Sequence, residues 1–334
     1  MKFRSLGLVG AALAVIAFSS QVFCSQVFCS QALAQSFPTK QIRLMIPYPP
    51  GGGDIMARML QESMITALGQ PVVIENKPGA AGVIASREIA HASPDGYALL
   101  FTNVGPMAVA PVMQPGAGYD PVTSFAPVSL VSRQPLVLVV HPSVAANSLQ
   151  ELIQLAKEKP GAIKYSSAGL GSFGHLSTEL FALAADVKMT HVAYKGVAPA
   201  ITAVLSGEVS MALTVPTGTM NEYIKQGKLR LLGVSTLEPS PLAPGATPIS
   251  TVLPRFGAAE YWFGVVAPAK TPPAVVATLN AAIVAALAKP GLKEKFVDLG
   301  ALAESSTPEA FSALVSTEAQ RWRDTIEKNN IRLN

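Results

Sequence analysis

The residues of this 334-residue chain that could do chemistry are mostly glycines and small hydroxyl side chains, and the chemistry they suit is the holding of an anion. Tyr48-Pro49-Pro50-Gly51-Gly52-Gly53-Asp54 follows the apolar run Ile42-Arg43-Leu44-Met45-Ile46 and precedes a helical pattern. Residues without a Cβ let the backbone come close to a ligand. A helix opening at Asp54 would aim unpaired N–H groups and the positive end of its dipole at the same place. The segment therefore suits a carboxylate, sulfate or phosphate. The same residues also make a tight strand-to-helix turn with Asp54 as a plain N-cap, so the surroundings must decide.

A second loop, Ser167-Ala168-Gly169-Leu170-Gly171-Ser172-Phe173-Gly174-His175, follows a strand-like run at 163–166 and formally contains G-x-G-x-x-G. A dinucleotide site would also need an acidic residue about 20 positions on, at the end of the next strand. That strand ends in Tyr194-Lys195-Gly196 instead. The loop reads better as another anion cradle, with Ser166, Ser167 and Ser172 adding hydroxyl donors and the helix from His175 presenting its N-terminus. Either loop alone could be a compact turn; the two together could clamp a ligand from both sides. Other chemistry is sparse. His91, His141, His175 and His191 form no H-x-x-x-H or H-E-x-x-H pattern, which argues against a metal site, and there is no G-x-S-x-G elbow. No cofactor and no catalytic residue is expected. His175, at a helix mouth, reads as a cap or packing residue, and Tyr48, Tyr194 and Trp262 as core aromatics or cleft walls.

The elements that position these loops alternate between strand and helix. Strand-like runs at 42–47, 72–75 and 99–102 flank helices at 54–68 and 82–92, and a loop-rich stretch follows. A second cycle holds runs at 136–140, 163–166, 189–194, 209–213 and 229–235 with helices at 148–159, 175–184, 198–206 and 219–225. A Pro- and Gly-rich connection at 238–254 leads to a strand at 262–267 and helices at 273–287, 292–299 and 308–329. This is an α/β pattern. The simplest arrangement is two α/β lobes, 35–137 with 263–334 and 138–262, between which the chain crosses near 136–140 and again near 262–267. Two crossings make a hinge, and the cleft between the lobes is the expected binding site.

Residues 1–34 read as a signal peptide: Lys2 and Arg4 form the basic start, 6–18 the apolar core and Ala32-Leu33-Ala34 the cleavage site. The apolar run is too short to span a bilayer, and no later segment replaces it. Gln21-Val22-Phe23-Cys24-Ser25 is repeated at once as Gln26-Val27-Phe28-Cys29-Ser30, and both cysteines fall there. Phe23 and Phe28, just before them, argue against lipidation. The mature protein is expected in the periplasm without disulfides, thiol nucleophiles or Cys-based metal sites. Without Lys2 and Arg4, 23 basic residues face 21 acidic ones, a balance of +2. No basic stripe is interleaved with aromatics, so nucleic acid is not an expected partner.

These motifs carry a resemblance. Phe37-Pro38-Thr39-Lys40-Gln41-Ile42-Arg43, Pro49-Pro50-Gly51-Gly52-Gly53, Gly69-Gln70-Pro71-Val72-Val73-Ile74-Glu75-Asn76-Lys77-Pro78-Gly79-Ala80 and Ser93-Pro94-Asp95-Gly96-Tyr97 come first. Tyr165-Ser166-Ser167-Ala168-Gly169, His191-Val192-Ala193-Tyr194-Lys195-Gly196, Gly227-Lys228-Leu229-Arg230 and Ala267-Pro268-Ala269-Lys270-Thr271-Pro272 follow in order. Over essentially the whole mature chain the protein resembles the Bug-type solute receptors of tripartite tricarboxylate transporters, periplasmic binding proteins of the type 2 architecture. The resemblance implies a monomeric, non-enzymatic receptor that closes on a small organic acid and delivers it to a membrane permease; a periplasmic sensor or hydrolase on the same fold is the competing reading. It implies that Tyr48, Pro50, Gly51, Gly52, Gly53 and Asp54, with Ser166, Ser167, Gly169, Gly171, Ser172 and His175, hold a ligand carboxylate through amides, hydroxyls and bridging waters. Thr102, Asn103, Tyr194 and Thr214 are further candidates for the cleft. The chain departs from the family twice. Gly53 runs directly into Asp54, where the family usually has an intervening Thr, Ser or Ala, and Thr214-Val215-Pro216 stands where an Asp is often found. The neutral Thr214 would not pair with a ligand ammonium, which disfavours amino acids.

Overall fold

The apolar run after Gln41 forms β1 (Ile42–Ile46), nearly all of it buried, as a strand covered on both faces requires. A computed structural model describes residues 37–217, 219–328 and 331; the expected signal peptide, its repeat and both cysteines lie outside them. After β1 come α1 (Gly52–Leu68), β2 (Val72–Asn76), α2 (Val83–Ala90) and β3 (Ala98–Asn103). Gly69 ends α1 in the left-handed conformation, returning its N–H to the Ile65 carbonyl. β3 runs into a π-helical turn, Gly105–Val109, and a further helical turn, Ala110–Met113. β4 (Phe125–Pro135) occupies a stretch that its prolines mark as loop. The strand tolerates Pro127 because that residue faces Val266 beside a register shift, where the ladder is already interrupted.

One residue, Leu136, separates β4 from β5 (Val137–Val140), which belongs to a different sheet. Then follow α3 (Leu149–Glu158), β6 (Lys164–Ser167), α4 (Phe173–Ala185), β7 (Thr190–Ala193), α5 (Val197–Leu205), β8 (Met211–Thr214), α6 (Met220–Lys225) and β9 (Arg230–Val234). Ser148 caps α3 by accepting the Glu151 N–H, while the Glu151 carboxylate takes the Asn147 N–H. β10 (Glu260–Pro268) returns to the first sheet, followed by α7 (Pro273–Leu287), α8 (Pro290–Asp298), β11 (Leu302–Ala303) and α9 (Pro308–Lys328). Among the described residues no single helix is long and apolar enough to cross a membrane.

The six-stranded sheet has the order β11-β4-β10-β3-β1-β2 and the five-stranded sheet β7-β6-β8-β5-β9. Each has a parallel part, β2-β1-β3 and β7-β6-β8, and antiparallel strands at the crossings. This is the two-lobed mixed α/β architecture of a type 2 periplasmic binding protein. The crossings are tied together at Ser235, which is fully buried. Its hydroxyl accepts the Leu136 N–H at 2.8 Å and donates to the Ala259 carbonyl, so both connecting segments share one side chain. Trp262 is core, with no exposure and its ring edge-on to Phe311 at 5.4 Å.

Candidate functional site

A cavity of about 370 Å³ lies where the carboxyl ends of β3, β6 and β8 meet the crossing strands. Ligands of open α/β sheets gather at such strand ends. From the second loop, Ser166, Ser167, Ala168, Gly171, Ser172, Phe173 and Gly174 form a nearly continuous wall, completed by Val197, Leu213, Thr214 and Val215. The loop can curl this way because Gly169 and Gly171 take positive φ and Gly174 lets α4 come against β8. A Cβ on Gly174 would stand 2.8 Å from the Leu213 carbonyl oxygen.

The hydroxyls are less free than their residue types suggest. The Ser166 hydroxyl donates to the Ala200 carbonyl at 2.9 Å. The Ser167 hydroxyl lies 3.0 Å from the Gly169 carbonyl and 2.7 Å from His191 Nε2. Ser172 accepts the His175 N–H as N-cap of α4, which therefore starts at Phe173, two residues before the expected His175. The Ser172 hydrogen is left for the cavity. The opening amides of α4 at Phe173 and Gly174, and of α5 at Val197, have no intrahelical partner, and these residues line the wall.

The first half of the chain contributes Tyr48, Asn103 and residues flanking them. The Tyr48 hydroxyl donates to Asn103 Oδ1 at 2.6 Å and the Gly105 N–H donates to the same oxygen at 2.9 Å. Two donors on one side of the carboxamide set its orientation and leave Asn103 Nδ2, on a residue 1% exposed, without a partner among the described residues. Burial and the neighbouring Tyr261 hold the Tyr48 hydroxyl well above its ordinary pKa, so it stays a donor.

Pro50, Gly51, Gly53 and Asp54, expected to cradle the anion, do not line the cavity. α1 begins at Gly52, not at Asp54, which places Asp54 in its first turn. There the carboxylate, almost fully buried, accepts Arg58 Nε at 2.9 Å and Asn76 Nδ2 at 3.0 Å. Burial alone would raise its pKa, but these bonds outweigh it and the pKa is lowered. The chain's own negative charge thus sits at the N-terminus of α1. Gly53 is required by packing, since a Cβ there would come 2.6 Å from the Phe263 ring. Thr102 and His175 are buried off the wall, Gly169 does not line it either, and Tyr194 turns its hydroxyl to Glu208 at 2.8 Å.

Behind the second loop the fold joins two histidines that are far apart in sequence. His175 and His191 stack at 4.0 Å and Tyr165 stacks on His191 at 4.9 Å. His175 Nδ1 accepts the Gly171 N–H at 3.1 Å, and Tyr165 donates to Glu179. Burial pushes the His175 pKa down to about 4; burial and the facing His175 take His191 to about 4, against a smaller opposing effect of Glu179. Both rings are neutral at pH 7. The described residues contain no group of three or more His, Cys, Asp or Glu placed to hold a metal ion.

Several wall residues carry no signal of their own in the sequence. Gln134, Leu136 and Tyr261 come from the crossing strands, and Gly105 and Val109 from the π-helical turn. The crossings could have pointed to the first three, since a cleft between lobes is walled by whatever bridges them. Phe173 sits inside the second loop and packs edge-on against Tyr261 at 5.3 Å and Trp322 at 5.2 Å.

Comparison with known proteins gives the family. Residues 56–331 match the family model described as tripartite tricarboxylate transporter family receptor. The chain is 33% identical to protein BugT of Bordetella pertussis over 333 residues, 99% of this chain and 98% of that protein. Among solved structures it is similar to Rpa4515 of R. palustris with adipate, at 31% identity and TM-score 0.73 over 89% of this chain and 99% of that one. It is also similar to MatC of Rhodopseudomonas palustris with bound malate, at 30% identity and TM-score 0.70 over 87% of this chain and 100% of that one. With a family match over most of its length and whole-length relatives above 30% identity, the chain belongs to the tripartite tricarboxylate transporter receptor family.

Proposed function

We propose that this protein is a periplasmic receptor that binds a small organic carboxylate in the cleft and delivers it to the membrane permease of a tripartite tricarboxylate-type transporter, as a monomer and without turnover. The observation that carries this reading is the wall of the cavity. It presents hydroxyls, a buried carboxamide and the opening amides of two helices, and among the described residues no Lys, Arg, Asp, Glu or His lines it, His191 standing behind Ser167 rather than on the wall. Such a wall holds an anion through neutral donors and releases it unchanged. We assign ligand contact to Ser172, Thr214 and the amides of Phe173, Gly174 and Val197 on one lobe, and to Tyr48 and Asn103 on the other. Of the first glycine loop only Tyr48 is retained. We place the division between the closing bodies at Leu136 and Ala259, where Ser235 ties the crossings, since β10 joins the first sheet from Glu260 onward. The adipate and malate held by the two relatives agree with a carboxylate ligand. Calorimetry of ligand-stripped protein against a panel of organic acids should give saturable, one-to-one binding with the acid recovered intact. Product formation from a bound ester or amide would move the assignment to a hydrolase, and silence across the panel would remove the transport reading.

A further inference from the structure

Resting on the carboxylate reading above, we infer that the ligand carries a single carboxylate on an apolar body, because two helices of the second lobe open onto the cavity together and, among the described residues, no charged side chain lines it to match a second anion. On the second lobe, α4 and α5 both open onto the wall at Phe173 and Val197. Each helix end amounts to roughly half a positive charge, so together they match one carboxylate. On the first lobe the corresponding helix end is closed: Asp54 brings its own carboxylate into the first turn of α1, and Arg58 and Asn76 are already bonded to it. What else this lobe presents is neutral: Ala81, the helical turn that opens at Gly105, whose N–H is taken by Asn103 Oδ1 and whose next residue, Pro106, has none, and the Asn103 amide with its unpartnered Nδ2. It can hydrogen-bond a hydroxyl, carbonyl or ether oxygen, but it supplies no charge.

The rest of the wall has no compensation for a second anion either. Leu136, Phe173, Val215 and Tyr261 give it aliphatic and aromatic faces, and among the described residues no Lys, Arg, Asp, Glu or His lines the cavity. A second ionised carboxylate buried there would lose its water without gaining a counter-charge, and an ammonium would meet no acid. A benzene ring or a branched chain, by contrast, gains from burial against these side chains. The volume of about 370 Å³ fits a small acid of this kind.

Matched pairs that differ only by the second carboxylate test this on the full mature protein: hexanoate against adipate, and benzoate against terephthalate, by calorimetry at pH 7.5. The monoacid of each pair should bind at least tenfold more tightly. Diacids that bind as tightly as their partners in both pairs would overturn the single-carboxylate assignment while leaving the receptor reading intact. Binding of none of the four, with the protein folded by circular dichroism, would overturn both. A Val215→Arg variant adds the missing counter-charge and should narrow or reverse the preference within each pair. An unchanged ratio in a folded variant whose monoacid affinity has moved would also count against the assignment.

Discussion

Acidification should unfold this protein earlier than its carboxylates require, because the second glycine loop is built on two histidines that must stay neutral. Both have folded pKa values of about 4 against an ordinary 6.5, the largest cause being burial. A depressed pKa means that the unfolded chain takes up the proton first. The stability these rings contribute is therefore complete above pH 6.5, falls as pH drops through 5, and is fully lost only below 4. At pH 5 the difference is about 1.5 units, or about 2 kcal/mol for His175. His191 is partly exposed and adds less, so about 3 kcal/mol for the pair is expected. The geometry gives the same sign. A protonated His175 Nδ1 cannot accept the Gly171 N–H, and two charged rings 4.0 Å apart would repel. Urea unfolding followed by tryptophan fluorescence between pH 7.5 and 5, without ligand, measures this. Carboxylates whose pKa values are lowered, such as Asp54, contribute little in that window because their unfolded pKa values lie near 4, whereas Glu260 and Glu318, raised by burial, act with the opposite sign in wild type and variant alike. A His175→Gln, His191→Gln double variant, whose amides can still accept a hydrogen bond, should lose most of the slope. Wild type and variant with the same pH dependence over this range would refute the argument.

Two substitutions probe the frame around the site. Ser235→Ala leaves the buried Leu136 N–H without its acceptor and releases the Ala259 carbonyl, so a loss of about 1–3 kcal/mol in urea unfolding is expected; an unchanged midpoint would show that the crossings are not tied there. Gly264→Ala puts a Cβ within 2.1 Å of the Phe311 ring, which α9 holds in the core. Overpacking of this kind costs about 1–3 kcal/mol or more, and a melting temperature equal to wild type would mean that the ring has room to move.

Much of the fold is legible from pattern alone. The alternation of short apolar runs with helical periodicity marks most strands of both sheets and the two crossings, and Gly69 and Ser148 mark helix ends by local chemistry, whereas Ser172 caps a helix expected to start only at His175. β11, of two residues, is one exception and β4 is the other. Its prolines argue for loop, and only pairing with β10 across a register shift, a contact distant in sequence, makes it a strand. The site divides along the same line. Ser172, Gly171 and Thr214 stand on the wall where their loops suggest, whereas Gln134 and Tyr261 reach it only through the way the crossing strands are laid against the second lobe.

That two glycine loops follow strands and precede helices depends on residues adjacent in the chain and can be read from them. Which of the two faces the cavity depends on contacts between parts of the chain far apart in sequence. In the first loop Asp54 stands in the opening turn of α1 with Arg58, from the helix itself, and Asn76, from β2, bonded to it, and Phe263 of β10 packs against Gly53. In the second, His175 and His191 hold Gly171 and Ser167 from behind and leave the amides of α4 open to the cavity. Spacing along a chain tells which backbone groups lack a partner. What fills the space in front of them is set by side chains brought from elsewhere in the fold.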